Sequence, residues 1–317
     1  MYKLNKQTKK IIKSLSKPII RSIFSEDFVC KRNYKSFIKQ RNLHERLRNS
    51  DFLDLLTTVH IETRTRCNSL CAFCAANPRV DRRDDRSMST DTYHKIIDGL
   101  SEISYSKRVS PYCNNEPLLD NNIYSYIAYT REKLPKATIE LKTNGSVLDE
   151  IKLRRLFDNG LDKLYINDYQ VSSTASRRLE ALYDTYKDTY QGKFFYCLRG
   201  YAEQTSKLNR AGSNPSKSAL TEPKKYFCYR PFEMIVFTAD GKMACCSNDF
   251  YLENNIGNIH NASLRELFTG ERIQTLRKRL MEYDRSSFEA CRKCDYAGLS
   301  VGHAYSCLFK FFLPFYT

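Results

Sequence analysis

Between residues 57 and 198 the chain alternates two kinds of hydrophobic pattern. Residues 57–63 (TTVHIET) alternate apolar and polar positions and are rich in β-branched side chains, which predicts a first strand. A helix is expected over 89–103, capped by Ser89-Thr90-Asp91. Short strand-like runs follow at 107–112, 138–142, 164–167 and 194–198, separated by helical patterns at 122–133, 150–159 and 175–186. Pro135 ends the helix over 122–133 and Gly160 the helix over 150–159. Repeated β–α units of this length predict an α/β fold with a parallel sheet or barrel and right-handed crossovers.

The rhythm changes near residue 201. Residues 206–223 are rich in Ser, Asn, Gly and Pro and read as a linker or long loop. A hairpin signal over 233–244 turns at Asp240-Gly241, and 264–283 reads as one helix. The apolar tail FKFFLPFYT is expected to pack on the body. Ahead of the first strand, basic residues alternate with Ile, Leu and Phe, as in Lys10-Ile11-Ile12-Lys13, which predicts short amphipathic helices over 1–50. Ser50-Asp51 is a cap candidate for a short helix through Leu56.

Composition narrows the class. A chain of 317 residues with 41% apolar side chains can bury one large core and a small second one. It has no run of about 18 apolar residues, so no membrane-spanning helix is expected. The start, MYKLNKQTKK, has no apolar secretory core, and a cytoplasmic location is expected. The net charge of +16 is uneven: residues 1–50 hold fourteen Lys or Arg against three Asp or Glu, or +11. No helix-turn-helix, zinc-finger or RNP signature accompanies that charge, so no specific nucleic-acid partner is expected. The basic arm suits peripheral contact with an anionic membrane surface or a partner.

Cysteine placement carries the chemistry. Of twelve cysteines, Cys67, Cys71 and Cys74 fall within eight residues as C-x3-C-x2-C. Clustering of this kind in a cytosolic chain points to metal ligation rather than disulfides. Three thiolates on one loop can hold three irons of a [4Fe–4S] cube and leave the fourth open to an exogenous ligand. The alternative is a structural zinc site completed by Cys113 or His60. The loop follows the first predicted strand, and sites of such folds lie at strand C-terminal ends.

This triplet, with Phe73 before its third cysteine, resembles that of the radical S-adenosylmethionine (SAM) superfamily. Asn114-Asn115-Glu116-Pro117 stands where the family carries a Gly-Gly-Glu-Pro-like segment, with Asn115 in place of a usual glycine. Thr143-Asn144-Gly145 resembles the turn after its third strand, and Asp168 ends the fourth. The resemblance implies a partial (β/α)6 TIM-like barrel whose open iron binds SAM. Reductive cleavage would then give a 5′-deoxyadenosyl radical that abstracts a substrate hydrogen. It implies SAM contacts from Phe73, Asn115, Glu116, Asn144 and Asp168, and a flavodoxin- or ferredoxin-type reductant.

A second constellation is Cys228, Cys246, Cys291 and Cys294, spaced by 18, 45 and 3 residues. It resembles the small C-terminal auxiliary-cluster domain, SPASM or "twitch", and in its spacing the aminocyclitol-oxidising branch. The expectation is one further [4Fe–4S] cluster, with Cys246 rather than Cys245 as ligand on its G-x4-C spacing; a zinc staple is the alternative. The organisation read is a basic extension at 1–50, a core at 51–215 and the auxiliary domain at 216–317. The function expected is oxidation of a sugar- or cyclitol-type small molecule. A peptide-modifying maturase, or a noncatalytic cluster-binding module with a basic arm, stand as alternatives. Arg199 and Arg210, after the fifth strand, are candidates to meet an anionic or hydroxylated substrate; the catalytic acid or base is left open.

Overall fold

The computed structural model describes residues 34, 38–39, 41–49, 52–169, 173–199, 208–296 and 298. The expected helices before residue 34, the Ser50-Asp51 cap and the C-terminal tail lie outside the described residues. The elements are α1 (Leu43–Asn49), β1 (Thr58–Ile61), α2 (Thr90–Glu102), β2 (Arg108–Ser110), α3 (Ile123–Lys133), β3 (Thr138–Thr143), α4 (Glu150–Asp158), β4 (Lys163–Asp168), α5 (Thr174–Tyr186) and β5 (Phe194–Leu198). After the connecting segment come α6 (Arg230–Glu233), β6 (Met234–Phe237), β7 (Lys242–Ala244), β8 (Asn255–Asn258), α7 (Leu264–Thr269), α8 (Glu271–Met281) and α9 (Glu289–Lys293).

All eight strands form one sheet in the order β5-β4-β3-β2-β1-β6-β7-β8. Strands β1 to β5 run parallel, joined by helices, as a partial barrel requires. The sixth parallel strand, β6, comes from beyond the linker and pairs with the free side of β1 in the register Thr58↔Met234 to Ile61↔Phe237. It then turns at Gly241 into the antiparallel β7, and β8 closes that edge. The C-terminal part of the chain is therefore built onto the core sheet through backbone hydrogen bonds.

The strands alternate because their two faces meet different surroundings. Val59, Ile61 and Val109 enter the apolar core with Ile96, Ile97 and Leu100 of α2. Leu141, Leu164 and Ile166 enter a second core with Ile127, Leu153 and Leu156. Their neighbours Thr58, His60, Arg108, Glu140, Lys142 and Tyr165 face the concave side of the sheet. Helix ends follow local chemistry: the Ser89 and Asp149 side chains accept the Thr92 and Lys152 backbone N–H groups at 3.1 and 2.7 Å.

The single helix expected over 264–283 is two helices. Gly270 adopts an extended conformation between them, and a Cβ there would stand 2.5 Å from the Glu266 carbonyl oxygen. Helix α7 starts from a Ser263/Glu266 capping box. Strand β8 and helix α9 have no periodic signal of their own; β8 forms because β7 presents an open edge.

Gly145 ends the β3 turn with φ +74°, where a Cβ would press within 2.8 Å of Leu179. Gly145→Ala is expected to lower stability by at least about 1–2 kcal/mol, read from urea unfolding, because an L side chain is strained in this backbone region.

Candidate active site

The loop leaving the C-terminal end of β1 carries Cys67, Cys71 and Cys74, each half-buried. Short turns shape it. The Cys74 N–H donates to the Cys71 carbonyl at 3.1 Å and the Asn77 N–H to the Cys74 carbonyl at 3.1 Å. Ala75, Ala76 and Phe250 are buried against Cys67 and Cys74, so the C-terminal part of the chain backs the loop. The Ser216 hydroxyl adds a second tie, to the Ala72 carbonyl at 2.9 Å.

Glu116 organises the rim around this loop. It is 2% exposed. Its carboxylate accepts from the Thr143 hydroxyl at 2.6 Å, the Asn144 N–H at 2.7 Å and the Leu118 N–H at 3.2 Å. The Asn144 side chain then donates to Asn68 Oδ1 at 2.9 Å and the Ser69 hydroxyl at 2.8 Å, with Cys67 Sγ at 3.8 Å. Burial raises the Glu116 carboxyl to about 7 against the pull of its three donors. Its carboxylate thus braces the rim from behind.

The remaining candidates divide between the two faces of the sheet. Asn115 accepts the Cys113 N–H at 2.9 Å, and its buried Nδ2 has no hydrogen-bond partner. Phe73 lies 5.2 Å, ring to ring, from Tyr169 beyond the end of β4. Asp168 turns to the helix side, where it accepts from the hydroxyls of Ser176 and, at 2.8 Å, Tyr196. Asn167 takes the concave-facing position and accepts from Arg199 at 3.0 Å. Arg210 donates to the Asn114 side chain and, at 2.8 Å, to the Ser247 carbonyl. It thereby joins the rim after β2 to the segment after Cys246.

Cys228, Cys246 and the Cys291/Cys294 pair come together from three places in the chain. They line one small cavity of about 30 Å³. Cys245 is instead fully buried in the apolar core behind β7. Donors surround the cavity's sulfurs: Arg230 and the Asn248 N–H at 3.4 Å from Cys246, Asn254 Nδ2 at 3.3 Å from Cys291, and Asn248 Nδ2 at 3.6 Å from Cys294. Buried Arg285 donates to the Tyr226, Phe227 and Tyr296 carbonyls at 2.9, 3.1 and 2.7 Å, clamping the Cys228 and Cys294 segments together. Sequence reasoning missed these supporting groups. Nothing in their spacing marks them; only the fold brings them to the sulfurs.

Both cysteine sets fit iron–sulfur clusters. Burial, with Cys74 and Cys67 nearby, pushes the Cys71 thiol up to about 12, and burial pushes Cys228 up to about 11. Buried thiolates of this kind need a positive partner, which iron supplies. The N–H donors match the hydrogen bonding expected around ligating thiolates. Among the described residues no three Cys, His, Asp or Glu side chains converge as one bound ion requires. Four thiols spread around a cavity suit a cluster better than one zinc with ligands at about 2.3 Å.

Comparison with known proteins agrees with this geometry. Residues 61–170 match the family model of the Radical SAM superfamily, and residues 228–295 match an iron–sulfur cluster-binding domain, SPASM. The S-adenosyl-L-methionine-dependent 2-deoxy-scyllo-inosamine dehydrogenase of Niallia circulans is 23% identical over 251 residues, covering 79% of this chain and 97% of that protein. The crystal structure of BtrN with AdoMet and 2-DOIA aligns with TM-score 0.66 and 23% identity, over 76% of this chain and 93% of the other. BtrN in an open conformation aligns with TM-score 0.57 and 21% identity, over 76% and 92%.

Two outcomes follow. Cys246→Ala is expected to lower iron content by about four per chain, and Cys245→Ala to leave it unchanged, by metal analysis of anaerobic protein. Glu116 supplies a pH signature. A carboxyl held near 7 when folded, against 4.5 as its ordinary value, binds a proton more tightly in the folded state. Its contribution is complete below 4.5 and fades as pH rises through 7. Glu116→Gln should therefore flatten the fall in urea midpoint over that window; an unchanged slope would show that Glu116 is not the group.

Proposed function

We propose that this chain, which belongs to the radical SAM superfamily and carries a SPASM-type auxiliary domain, oxidises a hydroxyl-bearing carbon of a sugar- or cyclitol-type small molecule. When bound, the SAM-ligating [4Fe–4S] cluster and SAM would supply hydrogen-atom abstraction from that carbon, the second cluster would accept the remaining electron, and the hydroxyl proton would leave to solvent. Cys67, Cys71 and Cys74 would hold the first cluster; Cys228, Cys246, Cys291 and Cys294 would hold the second. Phe73, Asn115, Asn144 and Asn167 line the SAM side, while Glu116 and Asp168 act as positioning residues.

One observation carries the reading most directly. Arg210 spans from Asn114 on the barrel rim to the Ser247 carbonyl, one residue beyond Cys246. The mouth of the barrel and the four-cysteine cavity are thus joined through one side chain. A substrate at that mouth would be shielded from water, as radical chemistry requires. Arg199 and Arg210 supply donors there to hydroxyl or anionic groups. The substrate class is suggested by the Niallia circulans relative and by the resemblance of the auxiliary cysteine spacing to the aminocyclitol-oxidising branch.

That relative's substrate is named as an inosamine, an amine. Here Glu62 is engaged with Arg83 at 2.9 Å, and Glu140 with Arg108 and Lys142. Among the described residues, Glu62 of the concave face is taken up by Arg83 and Glu140 stands between two cations, so the hydroxyl rather than the amine is the feature carried over. The one-electron source would be a flavodoxin- or ferredoxin-type protein, and the compartment the cytoplasm. Among the described residues, no helix is long and apolar enough to cross a membrane.

Anaerobically reconstituted protein should contain about eight irons per chain and form 5′-deoxyadenosine from SAM with dithionite. Cys67→Ala should form none. Clusters without SAM cleavage would overturn the reading in favour of a binding module. Removing the charge of both Arg199 and Arg210 should cut substrate turnover roughly tenfold or more, leaving uncoupled SAM cleavage intact; full turnover would remove them from the site.

A further inference from the structure

The floor of the half-barrel carries charge where barrels of this kind are ordinarily filled by branched apolar side chains. Arg108 of β2 and Lys142 of β3 both approach the same oxygen, Glu140 Oε1, each at 3.5 Å. Two cations therefore share one carboxylate oxygen, farther away than the ~2.9 Å of a well-formed N–H···O bond. Arg108 makes its close contact with a neutral group, the Thr58 hydroxyl at 2.9 Å, and its buried Nε has no hydrogen-bond partner. The Lys142 ammonium stands over the Tyr165 and Tyr112 rings at 5.6 and 6.0 Å.

His60 reports the sign of the local field. It lies beside Tyr112, with Nδ1 3.2 Å from that residue's carbonyl oxygen. Burial chiefly, then Arg108, and after it Lys142 and Arg230 hold the imidazole down at about 3. It is neutral at pH 7 and adds no charge of its own. The Arg108 and Lys142 side chains remain 38% and 40% exposed, so neither cation is closed off from a ligand.

We infer that this floor binds the phosphoryl group of the substrate, which is a phosphorylated polyol: a sugar phosphate or a nucleotide-linked sugar. A guanidinium and an ammonium on one wall supply donors to several phosphate oxygens at once. A neutral cyclitol would leave the excess positive charge unmet, and an amine would add to it. The phosphoryl end would sit on the floor and the carbon to be oxidised at the rim with Cys67 and Arg210. The inference rests on the proposed oxidation for its reaction, but not for its binding chemistry.

The test is calorimetric titration of inorganic phosphate and of UDP into anaerobic, cluster-loaded protein with SAM, with 5′-deoxyadenosine formation measured on the same samples. Saturable binding is expected, weakened roughly tenfold or more by Arg108→Met and by Lys142→Met. Lys107→Met, an exposed neighbour outside the floor, should change nothing. Glu140→Gln, which removes the competing carboxylate, should tighten binding, a gain that a merely structural role would not produce. Tighter binding of UDP than of phosphate supports the nucleotide-linked form, and equal binding the sugar phosphate. Absence of binding to wild type, or unweakened binding in both Met variants, overturns the inference. Loss of SAM cleavage with phosphate binding intact would instead fail the proposed reaction and leave the floor assigned.

Discussion

The rim of this molecule depends on one buried carboxylate. Glu116 lies in the segment after β2; two of its acceptor contacts, from Thr143 and Asn144, fix the turn after β3, and the third, from the Leu118 N–H, fixes its own segment. Through the Asn144 side chain that turn fixes the first residues of the cysteine loop. Three strands are thereby held in one relation at their C-terminal ends. A carboxylate buried without donors would be costly; three directed hydrogen bonds offset that cost and make the arrangement specific.

A second network joins the two parts of the chain. Arg83 donates to both oxygens of Glu62 at 2.9 and 3.1 Å, to Asp81 at 3.1 Å and to the Thr65 carbonyl at 2.9 Å. Its guanidinium lies 3.8 Å from the centre of the Phe250 ring. With β6 paired to β1, this places the four-cysteine cavity against the barrel mouth. The proposed chemistry, with a radical centre near an electron acceptor, would depend on that placement, which flexible tethering would not provide.

The alternation within the parallel strands has a further consequence. Parallel strands covered on both faces are usually continuous apolar runs. Here TVHI, TIELKT and KLYIND alternate, because helices cover one face and the other lines a concave, polar space. The helix side supplies stability through the Ile, Leu and Val core. The concave side is free to carry Arg108, Lys142 and His60, groups that a filled barrel would not tolerate.

Much of this was legible in the sequence. The β–α rhythm, the helix caps and the Thr143-Asn144-Gly145 turn follow from local periodicity and backbone preference, the cysteine triplet from its spacing, and the second cysteine set from its resemblance to the auxiliary-cluster domain. Local signals could not show that β6 completes the core sheet, since strand partnership is a nonlocal choice. They could not show Gly270 breaking a periodic helix, and the G-x4-C spacing that favours Cys246 did not show that Cys245 lies in the core. Adjacent residues of similar chemistry differ only in which way the backbone turns them. The same reason sends Asp168 to the helices and Asn167 to the concave face. Composition and spacing determined which chemistry the chain can perform. Tertiary structure decided which side chains face it, because a side chain's direction is set by pairing and packing with segments far away in the chain.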